Sequence, residues 1–179
     1  MDQVCIDGRD GEIYCIDRFE AARGDASASF AGTDGEAAKT AANVLPWTNV
    51  EWADARAACE AVGRRLCTLE EWMDACDGVV GDGGTRFTYG DDADPSICVT
   101  DTQAPLPTGS RLGCVSGFGV FDLSGNVWEW TGTTLDTAEA VGGSFVNAQT
   151  HFCFANPAGS PFRPTETSER LGFRCCDSP

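Results

Sequence analysis

The sequence predicts an α+β fold, rich in loops and stapled by disulfides, and three observations predict it. Ten cysteines occur in 179 residues. Glycine is frequent, at 21 residues, so long regular elements are few. Helical periodicity is confined to two stretches, and the other ordered segments are short apolar runs of strand length. With 42% hydrophobic residues the chain can bury a core, and its length suits one domain spanning 1–179.

The elements follow in order. Val4-Cys5-Ile6 and Ile13-Tyr14-Cys15-Ile16 flank a Gly8–Gly11 turn, which predicts a hairpin with a local Cys5–Cys15 bridge. Residues 22–44 are small and polar and read as a surface loop. Trp47 to Gly63 reads as a helix and its lead-in, with Trp52, Ala55, Cys59 and Val62 on one face. A second helix starts at Thr68, where Thr68-Leu69-Glu70-Glu71 forms a capping box, and ends at Asp77-Gly78. Residues 77–115 are rich in Gly and Asp, and a Cys98–Cys114 bridge would close the loop between those two cysteines. The densest aromatic segment is GVFDLSGNVWEW at 119–130, and VGGSFV (141–146) and LGFRC (171–175) read as short strands.

The cysteines also bear on compartment. Their number is even, no C-x-x-C knuckle occurs, and His151 is the only histidine, so five disulfides fit better than a zinc cluster. Each bridge contributes about 2–4 kcal/mol and requires an oxidising compartment, so the protein is expected to be exported: extracellular, on a cell surface or periplasmic. Met1 is followed at once by Asp2 and Gln3 with no apolar leader, so for an exported protein the expectation is of a signal already removed or of a chain that is a fragment. No apolar stretch approaches the ~20 residues that span a bilayer. The formal charge of -16 disfavours nucleic acid and anionic lipid and favours cations, calcium included.

Few groupings suggest catalysis. Ser144 has no evident His partner, the carboxylates cannot be paired as acid and base, and no Gly-rich phosphate loop precedes a helix. In GNVWEW, Gly125 permits a tight turn, while Asn126 and Glu129 offer oxygens with carbonyls between them, a hard donor set suited to calcium. The alternative is that both side chains bond loop amides without a metal.

Five segments in order, YCIDRFE (14–20), PWTNVEWADARAACEAVGRRLCTLEEW (46–72), FDLSGNVWEW (121–130), GGSF (142–145) and LGFRCC (171–176), make the chain resemble the formylglycine-generating enzyme, or sulfatase-modifying factor, family. The resemblance implies a C-type lectin-like fold. It implies calcium at Asn126, Val127 and Glu129, with Thr131 as a further ligand. It implies bridges Cys59–Cys175 and Cys76–Cys153, which leaves Cys67 and Cys176 to pair with each other.

The family's chemistry uses two cysteine thiolates shortly after GGS to bind Cu(I). Here Asn147 stands three residues after Ser144, where the first belongs, and Cys153 matches the family's structural cysteine rather than the second. His151 and Cys153 form an H-x-C pair that could bind a metal, but a disulfide at Cys153 leaves every cysteine paired. A single histidine excludes the family's iron-dependent branch, so neither copper nor iron is expected. The reading is therefore an exported, non-catalytic binding or structural module. It would present residues 147–165, with Asn147, His151, Phe154, Phe162 and Arg163, to a protein, peptide or sugar, or within a surface assembly. The alternative is a divergent oxidoreductase of the family that modifies an exported protein or small molecule.

Overall fold

A computed structural model describes residues 2–78, 84–146, 152–154 and 159–178. The N-terminal hairpin forms from β1 (Gln3–Asp7) and β2 (Ile13–Asp17), antiparallel with Cys5 opposite Cys15, so the bridge between those two crosses a register pair. β2 pairs in turn with β9 (Cys175–Asp177), and β9 with β5 (Arg65–Leu66), giving a four-stranded antiparallel sheet in the order β1-β2-β9-β5. A second sheet has β6 (Trp128–Thr131) at its centre, antiparallel to β7 (Glu139–Val141) and parallel to β8 (Leu171–Phe173). β8 and β9 belong to different sheets and are separated by one residue, Arg174.

The two helices differ in how they are stopped and started. α1 (Trp52–Glu60) buries Trp52, Ala55, Ala58 and Cys59. It is shorter than the sequence periodicity suggests: Val62 lies beyond it and is 38% exposed, because the chain has already turned toward Gly63, which sits at a positive φ of 74°. α2 (Leu69–Asp77) starts on the predicted capping box. The Thr68 hydroxyl accepts from the Glu71 amide at 3.2 Å, and Glu71 Oε2 accepts from the Thr68 amide at 2.8 Å. Gly78 ends it in the left-handed conformation, φ 71°. Arg9, from the hairpin turn, pairs with Asp74 and Asp77 in the last turn of α2, where two carboxylates would otherwise oppose the helix dipole.

Two packed clusters form the interior. One gathers Trp47, Trp52, Leu66, Trp130, Leu171 and Phe173 around α1 and the second sheet. The other gathers Ile6, Ile16, Trp72, Val120, Leu123 and Val141 around α2 and the hairpin. The predicted surface loop 22–44 is mostly exposed, yet it is anchored. β3 (Ala21–Ala22) pairs with β4 (Lys39–Thr40), and the Ala38 amide donates to the Ala58 carbonyl of α1 at 3.0 Å.

The strand expected at 141–146 stops at Val141. Gly142 and Gly143 both take positive φ, 89° and 80°, which carries the chain out of the sheet. A Cβ at Gly142 would also stand 2.8 Å from the Trp72 ring, so the turn packs directly on α2.

All ten cysteines are bridged: Cys5–Cys15, Cys59–Cys175, Cys67–Cys176, Cys76–Cys153 and Cys98–Cys114. These are the five pairs that the sequence reading names. Two of them fasten β9 to α1 and to the start of α2, closing loops with separations of 116 and 109 residues. Loops of that length restrict the unfolded chain most, by roughly 4–5 kcal/mol each in the chain-entropy description.

Candidate functional site

The GNVWEW turn is built by backbone conformations that few residues tolerate. Gly125 has φ 100°, and a Cβ there would meet the Val99 carbonyl at 2.5 Å. Asn126 follows at φ 56°, a region in which asparagine is among the more tolerant residues. Its amide group is fully used. Nδ2 donates to Glu20 Oε2 at 2.6 Å and to the Leu106 carbonyl at 3.2 Å, and Oδ1 accepts from the Leu106 amide at 2.9 Å.

Glu129 lies on β6 and is just as fully engaged. Arg174 grips it at two points, Nε to Oε2 and NH2 to Oε1, both 2.6 Å, and Trp72 Nε1 donates to Oε2 at 2.7 Å. Arg174 also donates to the carbonyls of Asp17 and Phe121 at 3.0 and 2.9 Å. Thr131 Oγ1 donates to the Glu139 carbonyl at 3.0 Å, and the Val127 amide donates to Glu20 Oε1 at 3.2 Å.

The side-chain oxygens of Asn126, Glu129 and Thr131, three of the four residues expected at a calcium site, are therefore already engaged in this arrangement. They face an amide, an indole, a guanidinium and a carbonyl, and the positive charge opposite Glu129 is Arg174. The alternative weighed for Asn126, bonding loop amides, describes what that side chain does. Among the described residues, no group of three or more His, Cys, Asp or Glu side chains is arranged to hold a metal ion.

The cluster is strongly acidic for its depth. Glu20, Asp122 and Glu129 are all buried, with one buried arginine among them. Burial pushes Glu20 well above the usual carboxylate range, and Asp122 and Glu129 push it further the same way. Burial raises Asp122 to about 7, against the opposing pull of the Gly109 amide and Arg174. Asp122 Oδ2 accepts from the Gly109 amide at 2.6 Å, whereas Oδ1 is buried without a hydrogen-bond partner. A carboxyl in that setting favours its neutral form. Asp17 is raised to about 6, chiefly by burial, with Arg64 opposing at 2.6 Å. Glu20 ends the YCIDRFE segment, but nothing in its local sequence assigns it to Asn126, 106 residues away.

Of the predicted binding residues, Asn147 and His151 lie outside the described residues. Phe162 departs from its expected exposure: it is half-buried, edge-on to Trp128 and Trp130 at 6.4 Å each, and so packs against the first core cluster. Arg163 is exposed, its amide donating to Glu166 Oε2 at 2.6 Å. Phe154 stays at the surface, 46% exposed.

Phe154 also belongs to a set that sequence reading missed. It stacks on Phe152 at 4.7 Å. Phe152 meets Phe87 at 5.5 Å, and Phe87 stacks on Tyr89 at 5.4 Å. The Arg86 guanidinium lies 4.7 Å from the centre of the Phe152 ring and 5.5 Å from that of Phe87. The Cys153 amide donates to the Arg86 carbonyl at 3.0 Å, and the Cys76–Cys153 bridge ties the same segment to α2. These side chains come from two segments more than 60 residues apart, and the one signal in the sequence is the pairing of Cys153.

Two short helices, small sheets and a broad loop-built face, held by five bridges, define a C-type lectin-like fold of the formylglycine-generating-enzyme type. The chain belongs to the sulfatase-modifying factor enzyme 1-like domain family, which matches it over residues 13–179. It is 32% identical over 163 residues to inactive C-alpha-formylglycine-generating enzyme 2 of Mus musculus, covering 75% of this chain and 49% of that protein. It is 26% identical over 163 residues to the formylglycine-generating enzyme of the same organism, covering 73% of this chain and 43% of that one. The chain spans about half the length of the curated relatives it matches. Among solved structures, Treponema denticola variable protein 1 superimposes with a TM-score of 0.71 at 15% identity, covering 93% of this chain and 85% of that one, a likeness of fold alone.

Proposed function

We propose that this chain is a non-catalytic binding module of an exported protein, built on the formylglycine-generating-enzyme scaffold. One observation carries the reading: every cysteine is committed to a disulfide, and the only one between GGSF and LGFRCC, Cys153, is bonded to Cys76. Formylglycine generation in the family depends on a pair of thiolates, and a disulfide sulfur offers none. The similarity to a relative whose name calls it inactive supports the same reading. Five bridges in a chain this size support passage through an oxidising compartment. The loop-borne face around Phe154 is the surface offered to a partner.

The second reading, a divergent family enzyme, is favoured by the similarity to a relative named formylglycine-generating enzyme. The two separate by assay. Protein purified without reductant and incubated with Cu(I) and a cysteine-containing peptide is expected to leave that cysteine unchanged. Conversion to formylglycine above the copper-only background would replace the binding reading with the enzymatic one.

A further inference from the structure

The four rings run in series. Phe87 is buried, Tyr89 and Phe152 are half-exposed, and Phe154 ends the series as the ring most open to water. The rings are not loosely placed. The backbone bond between Cys153 and Arg86 and the Cys76–Cys153 bridge fix one half, and the Thr88 amide, donating to Ser124 Oγ at 3.1 Å, fixes the other.

The chemistry of the series is set by its neighbours. Arg86 already lies over two of the rings, so the ring faces hold a guanidinium within the chain itself. At the Tyr89 end stand three exposed carboxylates, Asp91, Asp92 and Asp94. Tyr89 Oη accepts from the Asp94 amide at 3.2 Å, and Asp91 Oδ1 accepts from the Arg86 amide at 2.9 Å, which anchors that acidic turn to the ring series. Hydrogen bonds from Ser96 lower the Asp94 carboxyl from its ordinary value and favour its charged form. With 28 acidic against 12 basic residues, the chain as a whole attracts cations.

We propose that the Tyr89–Phe87–Phe152–Phe154 series is the docking site for a basic peptide segment of a partner protein. One Lys or Arg of the segment lies on Phe154, and others lie against Asp91, Asp92 and Asp94. The proposal rests on the binding reading above and names the chemistry of its partner. A cation on Phe154 extends what Arg86 does on Phe152, and the aspartates supply the charge that a neutral ligand would not use.

The test uses the intact protein and a labelled peptide of alternating Lys, Arg and Gly, followed by fluorescence anisotropy. Its Glu-for-Lys/Arg counterpart and a neutral oligosaccharide serve as comparison probes. The basic peptide is expected to bind and to weaken as salt is added. Phe154→Leu keeps an apolar side chain and removes the ring face, and is expected to weaken binding about fivefold, while Phe154→Trp tightens it. Asp91→Asn with Asp92→Asn is expected to weaken it more than Asp54→Asn with Glu36→Gln, an equal change of charge elsewhere.

Absence of binding, or binding indifferent to Phe154→Leu, overturns the proposal. So does oligosaccharide binding that Phe154→Leu abolishes, although that result leaves the non-catalytic reading standing. The copper assay above, in contrast, tests that reading without reference to Phe154.

Discussion

Arg174 and Glu129 form a two-point ion pair with side chains 0% and 1% exposed, at the residue where the chain passes from the second sheet into the first. A pair so deep is costly to desolvate, and its members are held mainly by each other. Glu129→Gln leaves the buried guanidinium without its two-point partner, with Glu20 and Asp122 as the remaining carboxyls around it. It is expected to lower stability by about 3–5 kcal/mol in denaturant titration. Changing both residues together to Met is expected to cost less than the sum of the two single changes.

The same pair bears on calcium. Glu129 is engaged by Arg174 and Trp72, and Asn126 by Glu20 and Leu106, so calcium would have to displace these partners to use either side chain. Melting temperature is therefore expected to be the same in millimolar calcium and in chelator. A rise with calcium that Glu129→Gln abolishes would show that the ion displaces Arg174.

The buried acids predict a pH dependence with a definite sign. Asp17 and Asp122 have ordinary values of 3.8 and are raised to about 6 and about 7. The native state thus holds protons that the unfolded state has released. The stability this contributes is fully present below about pH 4 and is lost as pH rises through 6 and 7. Melting temperature is expected to fall by several degrees between about pH 5 and pH 8, and Asp122→Asn is expected to flatten that fall.

The capping box of α2 offers a smaller and cleaner test. Thr68→Ala removes the acceptor for the Glu71 amide and is expected to cost about 1 kcal/mol, seen as a drop of a few degrees in melting temperature.

These features were not equally legible in the sequence. The hairpin of 1–20 and the start of α2 were, because a Gly-flanked turn with two cysteines and a T-x-x-E box act within a few residues. The five disulfide pairs were legible only in part from spacing: Cys5–Cys15 and Cys98–Cys114 are local, and the others came through the family resemblance. At the end of α1, Gly63 takes the left-handed conformation that suits a helix terminus, and only Val62 departs, because it continues the apolar spacing after the backbone has left the helix. The strand expected at 141–146 stops at Val141 because Gly142 and Gly143 take positive φ, and the Gly-Gly pair is itself a turn signal that the apolar residues around it outweighed. At the candidate site, Phe154 was legible as an exposed ring. Its companions were not, since Phe87 and Phe152 meet only through a backbone bond and a bridge formed across the fold. The sequence shows the oxygens of Glu129 but not the arginine that reaches them from 45 positions away.

The central claim is that the cysteines brace the fold and leave no thiolate for chemistry. The most direct measurement is the mass of intact protein, purified without reductant and unfolded in the presence of a thiol-alkylating reagent. No added label is expected, and ten labels after full reduction. Two labels before reduction, with Cys153 among the sites modified, would contradict it.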